Sequence, residues 1–387
     1  MNAVNDPVSV KAPAKTNLLG LTRAELEAFI ESMGEKPFRA RQLMKWLYKR
    51  AVSDFDQMTD LAKVFRERLK EVAEVRVPQI KLTQVSTDGT RKWLLTLPEI
   101  TRGKSEVDPT QAIEMVYIPE PGRGTLCISS QIGCAMDCTF CSTAQQGFNR
   151  NLSVAEIVGQ VWVANRELGF EHGADRIITN IVFMGMGEPL ANYRNVVPAA
   201  ALFMDDLAFD MSRRRVTVST SGLVPQMLKL AEETNCALAV SLHAPNDELR
   251  DVLVPINRKH RIAELLDACW QYVEKQNARS ITFEYVMLDG VNDKPEHAHE
   301  LVRLLKGRPA KLNLIPFNPF PGTSYRRSSA AAIDRFRDIC NTSGVIATTR
   351  RTRGDDIDAA CGQLVGRVRD RTTVRLGSKL ISVAVQT

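Results

Sequence analysis

Three cysteines near the middle of the chain, Cys134, Cys138 and Cys141, have a spacing that favours metal chemistry. A C-x3-C-x2-C run can place three thiolates around one small inorganic group, and it leaves no local fourth ligand. A [4Fe–4S] cluster with one iron left open fits this pattern. Structural zinc would need a fourth Cys or His at ligand spacing, and none follows. Three unconnected buried cysteines are the other alternative, but Gly133 and Ser142 give this stretch the character of a loop.

The run resembles the signature of the radical S-adenosylmethionine (SAM) superfamily, in which the open iron binds SAM. Three longer motifs resemble one family within it, the dual-specificity RNA methyltransferases that methylate C2 of adenine in 23S ribosomal RNA and in transfer RNA. These motifs are SSQIGC at 129–134, GMGEP at 185–189 and RGDDIDAACGQL at 353–364. The resemblance covers nearly the whole chain. It implies a radical SAM RNA methyltransferase that uses one [4Fe–4S] cluster and two SAM molecules per turnover.

The resemblance also implies three catalytic residues. One SAM methylates Cys361, which then loses a hydrogen atom to the radical made from a second SAM and attacks C2 as a thiomethylene radical. Cys127 resolves the protein–RNA adduct through a transient disulfide bond with Cys361. Glu114 is the base that removes the C2 proton. Because Glu114 interrupts an apolar strand, its burial is costly unless it faces a polar cavity. The alternative is a glutamate at a strand edge that faces solvent.

The positions that the resemblance assigns to SAM binding fall at the ends of predicted strands, where βα barrels hold their working residues. Gly187 and Glu188 follow one strand, and Glu188 is suited to accept a hydrogen bond from the SAM ammonium group. The remaining positions follow successive strands in the same way: Ser219, Ser241, Leu242, His243 and Asn318. For His243 or Asn318 taken alone, a capping or loop role is the alternative.

The elements that position these residues alternate between helix and strand, from a helix at 153–168 to a strand at 345–350. Strands that are apolar throughout and separated by helices predict a parallel sheet covered on both faces. About six such units match the partial (βα)6 barrel of the superfamily. We therefore expect an α/β fold in which this barrel carries a small N-terminal helical domain and a β-hairpin extension.

The chain before the barrel contains three short basic helices and two hairpins. The helices begin near Thr22, Lys36 and residue 60, and their Arg and Lys residues predict an RNA-binding accessory domain. An ordinary solvated helix face is the alternative. Turn signals at Asp88-Gly89 and Pro121-Gly122 predict the hairpins. The expected divisions are a disordered tail at 1–17, the accessory domain at 18–100, the catalytic barrel at 101–365 and a basic tail at 366–387.

Composition places mild limits on the partners and the compartment. The 387 residues carry a formal net charge of +6, which is compatible with an RNA partner but is weak support alone. Eight cysteines in so long a chain do not form a disulfide framework, and grouped thiols indicate a reducing compartment. No targeting or long apolar segment is recognisable, so we expect a cytoplasmic monomer with no membrane partner. The resemblance adds an electron donor such as flavodoxin or ferredoxin.

Two rival functions belong to different classes. The related methyltransferase that modifies C8 of ribosomal adenosine shares the cluster, the cysteine pair and the mechanism, so the core motifs do not separate the two. The whole-chain resemblance favours C2. A non-catalytic iron–sulfur protein that binds RNA is the second rival. Such a protein would need neither Cys361, Cys127 and Glu114 nor the SAM-binding positions, and all of them are present.

Overall fold

The structure is a computed structural model that describes residues 15–97, 111–360 and 362–371. Cys361 and most of the two predicted tails lie outside the described residues. The helices are α1 (Arg23–Ser32), α2 (Phe38–Met44), α3 (Lys63–Val72), α4 (Ser142–Gln145), α5 (Val154–Glu167), α6 (Tyr193–Met204), α7 (Val224–Glu233), α8 (Asp247–Leu253), α9 (Ile262–Gln276), α10 (Pro295–Leu305) and α11 (Ala330–Thr342). The strands are β1 (Thr16–Asn17), β2 (Ala73–Glu74), β3 (Gln79–Val85), β4 (Arg91–Thr96), β5 (Ala112–Glu120), β6 (Arg123–Cys127), β7 (Gln131–Gly133), β8 (Phe148–Asn151), β9 (Asn180–Phe183), β10 (Val216–Thr220), β11 (Ala237–Ser241), β12 (Ile281–Met287), β13 (Ala310–Pro316) and β14 (Ile346–Thr349).

The centre of the fold is one ten-stranded sheet with strand order β14-β13-β12-β11-β10-β9-β6-β5-β4-β3. Within this sheet, β6 and the strands β9 to β14 run parallel to their neighbours, and helices connect them. These strand–helix units form the partial barrel that the sequence predicts. The strands β3 to β6 are antiparallel, which confirms both predicted hairpins and attaches them to one side of the barrel sheet. The first hairpin turns at Gly89, whose φ of +83° suits a glycine.

The N-terminal helices pack onto α5 of the barrel. The ring nitrogen of Trp162 donates a 2.8 Å hydrogen bond to the carbonyl of Leu47, and Trp162 is fully buried. A Cβ at Gly159 would lie 2.4 Å from Pro78, so only glycine allows this close approach. Burial of a large apolar side chain stabilises a fold by about 1.5–3 kcal/mol, so this contact ties the helices firmly to the barrel.

The first helix begins as the sequence predicts. Thr22 and Glu25 form a reciprocal capping box at the start of α1. Thr16 and Asn17, which the sequence placed in the tail, form β1 and pair with β2 in parallel. The predicted second helix continues beyond α2 as a π-helical turn, Lys45–Lys49. No helix among the described residues is long and apolar enough to span a membrane.

Several cations of the N-terminal helices have partners within the protein. Lys49 lies 3.6 Å from a carboxylate oxygen of Asp210, and Lys70 lies 2.6 Å from Asp56. Ion pairs between exposed or partly exposed side chains are weak, so an RNA phosphate could replace the carboxylate at little cost. Lys45 is exposed. The internal pairs fit the interpretation of a solvated face for part of the set, and the RNA-binding role of the helices stays a prediction.

Candidate active site and SAM-binding cavity

One cavity of about 160 Å³ brings together most of the residues that the sequence singled out. It lies at the carboxyl ends of the parallel strands, where βα barrels hold their active sites. Gly362, the neighbour of Cys361, also lines it. Within the described residues, Leu242, Asn318, Glu114 and Cys127 are not part of its lining. The predicted residues that do line it are Cys134, Cys138, Cys141, Gly187, Glu188, Ser219, Ser241 and His243.

Backbone hydrogen bonds fix the loop of the three cysteines at both ends. The N–H of Cys134 donates to the carbonyl of Gly147 at 2.8 Å, just before β8. At the other end, the N–H of Ser142 donates to the carbonyl of Gly362 at 2.8 Å. The residues are partly exposed to the cavity, but their thiols lie deep. This burial raises the pKa values of Cys134 and Cys138 above the ordinary range, and a bound metal would displace their protons.

The donor set fits a [4Fe–4S] cluster better than a single metal ion. In the described residues, no group of three or more His, Cys, Asp or Glu side chains is arranged to hold one metal ion. Ligands of tetrahedral zinc must converge at about 2.0–2.3 Å on one point. The three thiolates of a cluster bind three different irons and therefore stand farther apart. Cys134, Cys138 and Cys141 line one cavity, and three thiolates with no fourth ligand in their loop suit a cluster with one open iron.

Glu188 and Gly187 form the wall beside the three cysteines. One oxygen of Glu188 accepts a hydrogen bond from Leu190 N–H at 3.0 Å, and the other accepts from both the N–H and the hydroxyl of Ser221, at 2.8 and 2.9 Å. Burial raises the pKa of Glu188, although these hydrogen bonds oppose the shift. Gly187 has a φ of +99°, and a Cβ there would lie 2.5 Å from Gln131. The glycine therefore lets the backbone pass close to the cluster loop.

His243 is a neutral hydrogen-bonding group in this cavity. Its Nδ1 accepts a 3.0 Å hydrogen bond from Val286 N–H, so the proton of the neutral ring lies on Nε2. Burial and the nearby charge of Arg250 lower the pKa of His243 to about 3. The ring packs edge to face against Phe140 of the cluster loop, with ring centres 4.6 Å apart. His243 therefore remains uncharged at neutral pH and presents an N–H donor.

Arg250, a fully buried residue on α8 that holds the cavity wall together, was not identified from the sequence. Its guanidinium donates to the carbonyls of Ser221, Ser241 and Leu242 at 2.7, 3.1 and 3.0 Å. It also donates to the side chain of Asn257 at 3.0 Å. The bonded carbonyls lie where β10 and β11 end, so Arg250 fixes two neighbouring strand ends relative to each other. The side chain of Leu242 is fully buried, so Leu242 contributes to the cavity wall through its carbonyl, which accepts from Arg250.

Asn318 lies on a small neighbouring cleft instead of the main cavity. The cleft is also lined by Ala359 and Ala360, the residues directly before Cys361. The side-chain oxygen of Asn318 accepts a 2.6 Å hydrogen bond from Arg327. Asn318 is thus placed beside the segment that carries Cys361, and a contact with SAM at this position remains a prediction.

Glu114 and Cys127 lie on one face of the antiparallel part of the sheet. Cys127 is directly opposite Val116 on β5, two residues from Glu114, so all three side chains point to the same face. Glu114 is buried, which rules out the alternative of a glutamate that faces solvent. One of its oxygens lies 3.4 Å from Lys92 Nζ, and the other accepts a 3.0 Å hydrogen bond from Val365 N–H. No disulfide joins any two of the described cysteines, and Cys361 is not among them.

Glu284 is a second buried carboxylate that the sequence reasoning overlooked. It lines the cavity from β12, and one of its oxygens accepts a 2.7 Å hydrogen bond from Asn313 on β13. Burial raises its pKa, although the charge of Arg350 acts in the opposite direction. The signal was available, because Glu284 interrupts an apolar strand just as Glu114 does. For Arg250 no such signal exists, since an Arg on a short helix is usually exposed.

Comparison with known proteins gives two family matches along the chain. Residues 16–75 match the ribosomal RNA large subunit methyltransferase N-terminal domain, RlmN_N. Residues 128–302 match the radical SAM superfamily. The second match contains the three-cysteine loop and most of the cavity wall described above. A partial βα barrel with this loop at its mouth defines the chain as a radical SAM enzyme.

Two full-length relatives narrow the class. The chain is 57% identical over 362 residues to the dual-specificity RNA methyltransferase RlmN of Marinobacter nauticus, and the match covers 93% of this chain and 95% of the relative. The crystal structure of a radical SAM methyltransferase from Sphaerobacter thermophilus superposes with a TM-score of 0.82 at 44% identity, covering 90% of this chain and 99% of that one. The chain belongs to the RlmN family of dual-specificity RNA methyltransferases. Membership implies SAM and a [4Fe–4S] cluster as cofactors.

Proposed function

We propose that the protein methylates C2 of a specific adenosine in 23S ribosomal RNA and of an anticodon-loop adenosine in transfer RNAs. It would use one [4Fe–4S] cluster and two SAM molecules per turnover, with a methylated Cys361 as the intermediate. One observation carries this proposal. Gly362, directly after Cys361, lines the same cavity as the three cluster cysteines and is hydrogen-bonded to their loop.

The residues present fit the cofactors by their chemistry. Cys134, Cys138 and Cys141 would hold the cluster, and the buried carboxylate of Glu188 would accept hydrogen bonds from the SAM ammonium group. The proposed roles of Ser219, Ser241, His243 and Asn318 in SAM binding rest on the family resemblance. When bound, the reduced cluster supplies one electron that cleaves SAM and yields a 5′-deoxyadenosyl radical. Such chemistry is needed because C2, between two ring nitrogens, is electron-poor and does not attack the methyl group of SAM.

The protein residues then act in order on the RNA base. The thiomethylene carbon of Cys361 adds to C2, Glu114 takes the C2 proton, and the one electron that the adduct must lose would pass to the oxidised [4Fe–4S] cluster. Cys127 then attacks the sulfur of Cys361, so that an S–S bond forms as the S–CH₂ bond breaks. The released carbon takes up a proton and becomes the methyl group. The shared sheet face of Glu114 and Cys127, next to the segment around Cys361, supports this division of roles.

Two surfaces are candidates for the RNA backbone. The N-terminal helices supply exposed cations such as Lys45. Arg351, Arg367 and Arg369 are exposed near the segment that contains Cys361. Cations on both sides of a reactive residue would hold an RNA by its phosphates while one base reaches the cavity. An electron donor of the flavodoxin or ferredoxin type and a monomeric state remain part of the proposal.

The order of steps predicts opposite behaviour for the two cysteines. The Cys127→Ala variant should still attack C2 and accumulate protein joined to RNA through the methylene on Cys361, visible as a slow-migrating, nuclease-sensitive band. The Cys361→Ala variant should give no band. Cys340→Ala is the matched control, because Cys340 is a buried cysteine on α11, outside the cavity lining, and its loss should not produce a band.

Nucleoside mass spectrometry of the RNA products tests the regiochemistry. The wild-type protein should yield 2-methyladenosine in ribosomal and transfer RNA. Detection of 8-methyladenosine instead would assign the C8 reaction.

Normal turnover by Cys127→Ala would reduce Cys127 to a packing residue, and absence of adduct from both cysteine variants would place Cys127 earlier in the reaction.

A further inference from the structure

We propose that Lys92 is a positioning residue that holds the base Glu114 against the segment that carries Cys361. Lys92 lies on β4 of the first hairpin, which carries none of the residues to which the proposed mechanism gives a role. The inference rests on the proposed function, because it concerns the step in which Glu114 takes the C2 proton.

Lys92 is buried, and its position on the sheet explains what it contacts. It lies directly opposite Val116 on β5, and Val116 lies directly opposite Cys127 on β6, so the three side chains form one row on the face that also carries Glu114. Only 6% of Lys92 is exposed, and its ammonium lies 3.4 Å from the Glu114 carboxylate. A buried ammonium is costly unless it is paired, so the contacts of Lys92 offset the cost of its burial.

The ammonium of Lys92 has a second partner in the segment that contains Cys361. It donates a 3.2 Å hydrogen bond to the carbonyl of Asp358, three residues before Cys361. Glu114 accepts from Val365 N–H, four residues after Cys361. The Lys92–Glu114 pair therefore holds this segment on both sides of the reactive cysteine. A lysine that only filled space would have no reason to contact both the base and the segment.

The rest of the hairpin reinforces the same contact. The carboxylate of Asp88 accepts a hydrogen bond from Gly354 N–H at 3.2 Å, and Arg353 lies 3.7 Å from the same carboxylate. The N–H of Thr87 donates to Asp356 at 3.1 Å. These contacts anchor the segment near its start, but they involve neither oxygen of Glu114. They supply a control position on the same interface.

The step in question breaks the C2–H bond, moves the proton to an oxygen of Glu114 and leaves the electron pair on the adduct, which would then give up one electron to the oxidised cluster. The transfer requires an oxygen of the Glu114 carboxylate within hydrogen-bond reach of that hydrogen once the adenine is attached to Cys361. Without Lys92, Glu114 loses its partner on one oxygen and can turn away. A shift of about 1 Å in a reacting group costs about a hundredfold in rate. Proton removal should then become the slowest step.

The test compares Lys92→Met, Lys92→Arg and Arg353→Met in RNA methylation with ordinary adenosine and with adenosine deuterated at C2. We expect Lys92→Met to lower the rate of RNA methylation by about a hundredfold and to show a larger deuterium isotope effect than the wild-type enzyme. Lys92→Arg should restore most of the rate. Arg353→Met should leave the isotope effect at the wild-type value.

Two further measurements separate positioning from folding. Iron content and methylation of Cys361, read by mass spectrometry of the intact protein, should be the same in Lys92→Met and wild type. An unchanged rate in Lys92→Met would overturn the inference. So would a slower rate that comes with equal loss of Cys361 methylation and no larger isotope effect, because that pattern is structural. If the wild-type protein itself makes no 2-methyladenosine, the proposed function fails, independently of Lys92.

Discussion

Replacing Arg250 by Met should destabilise the folded protein more than any surface change of similar size. The substitution keeps the aliphatic length of the side chain but removes the donors to the carbonyls of Ser221, Ser241 and Leu242. The carbonyl of Leu242 keeps a 2.8 Å hydrogen bond from Ala244 N–H, whereas the carbonyls of Ser221 and Ser241 and the side-chain oxygen of Asn257 lose this donor. A buried acceptor that loses its partner costs about 1–3 kcal/mol, so these three cost about 3–9 kcal/mol. Burying a methionine instead of a charge recovers part of this cost, and water entering from the cavity recovers more. We expect a net loss of about 3–5 kcal/mol.

Urea unfolding of the apo-protein, followed by circular dichroism, measures this loss directly. Arg250→Lys should lie between the wild type and Arg250→Met, because an ammonium keeps the charge but lacks the planar fork that reaches several carbonyls. Lys259→Met is the control, since Lys259 is exposed nine residues further along the chain and its change should stay within about 0.5 kcal/mol. An Arg250→Met variant within about 0.5 kcal/mol of the wild type would refute the argument that this guanidinium holds the two strand ends together.

Three other predictions follow from the same structure. Replacing any one of the three cluster cysteines by Ala should abolish the brown colour and the SAM cleavage of anaerobically reconstituted protein, which otherwise should carry about four irons per chain; stoichiometric zinc without iron would contradict the assignment. The pKa of His243 is about 3 in the folded protein, below its ordinary value, so between that value and about 6.5 the unfolded chain binds a proton that the folded chain does not. The free energy of unfolding should therefore decrease as the pH is lowered through this range. Between pH 6 and pH 4, its slope against pH should be smaller for His243→Asn than for the wild type, by about 1.4 kcal/mol per pH unit. Changing Lys45 to Gln should reduce the salt dependence of RNA binding by about 0.7–0.9 in logarithmic slope if it contacts one phosphate, and an unchanged slope would assign it to a solvated face.

The sequence predicted the regular elements well because their signals are local. The helix predicted at 153–168 is α5 (Val154–Glu167), and α1 begins directly after Thr22, as the sequence predicts. Apolar strands separated by helices identified the parallel sheet, and Asp88-Gly89 identified a hairpin turn. The short ribbon of β7 and β8 around the cluster loop was missed, since Gln131–Gly133 and Phe148–Asn151 are too short to show a period.

The candidate site was predictable where a motif carries it and not where a distant contact does. The motif around Gly187 and the three cysteines identified the main cavity. Lys92 and Asp358 are separated by 266 residues, and no spacing pattern relates two positions so far apart. The face toward which Lys92 points is also ambiguous in the sequence, because both faces of β4 carry apolar residues. Long-range pairing, and with it the environment of Glu114, required the structure.

The segment from 362 to 371 connects the two halves of the proposed chemistry. On one side it contacts the cluster loop and the ribbon beside it: Thr143 donates to the carbonyl of Leu364 at 2.7 Å, and Asn149 donates to that of Arg369 at 2.6 Å. On the other side Val365 donates to Glu114. A displacement of the cluster loop would therefore change the position of Glu114 through Leu364 and Val365. Cys361 directly precedes this segment, so the loop of the three cysteines and Glu114, the proposed base, are both hydrogen-bonded to the chain just after Cys361. Loss of the cluster should make the Glu114 side chain less firmly held, as well as stop SAM cleavage.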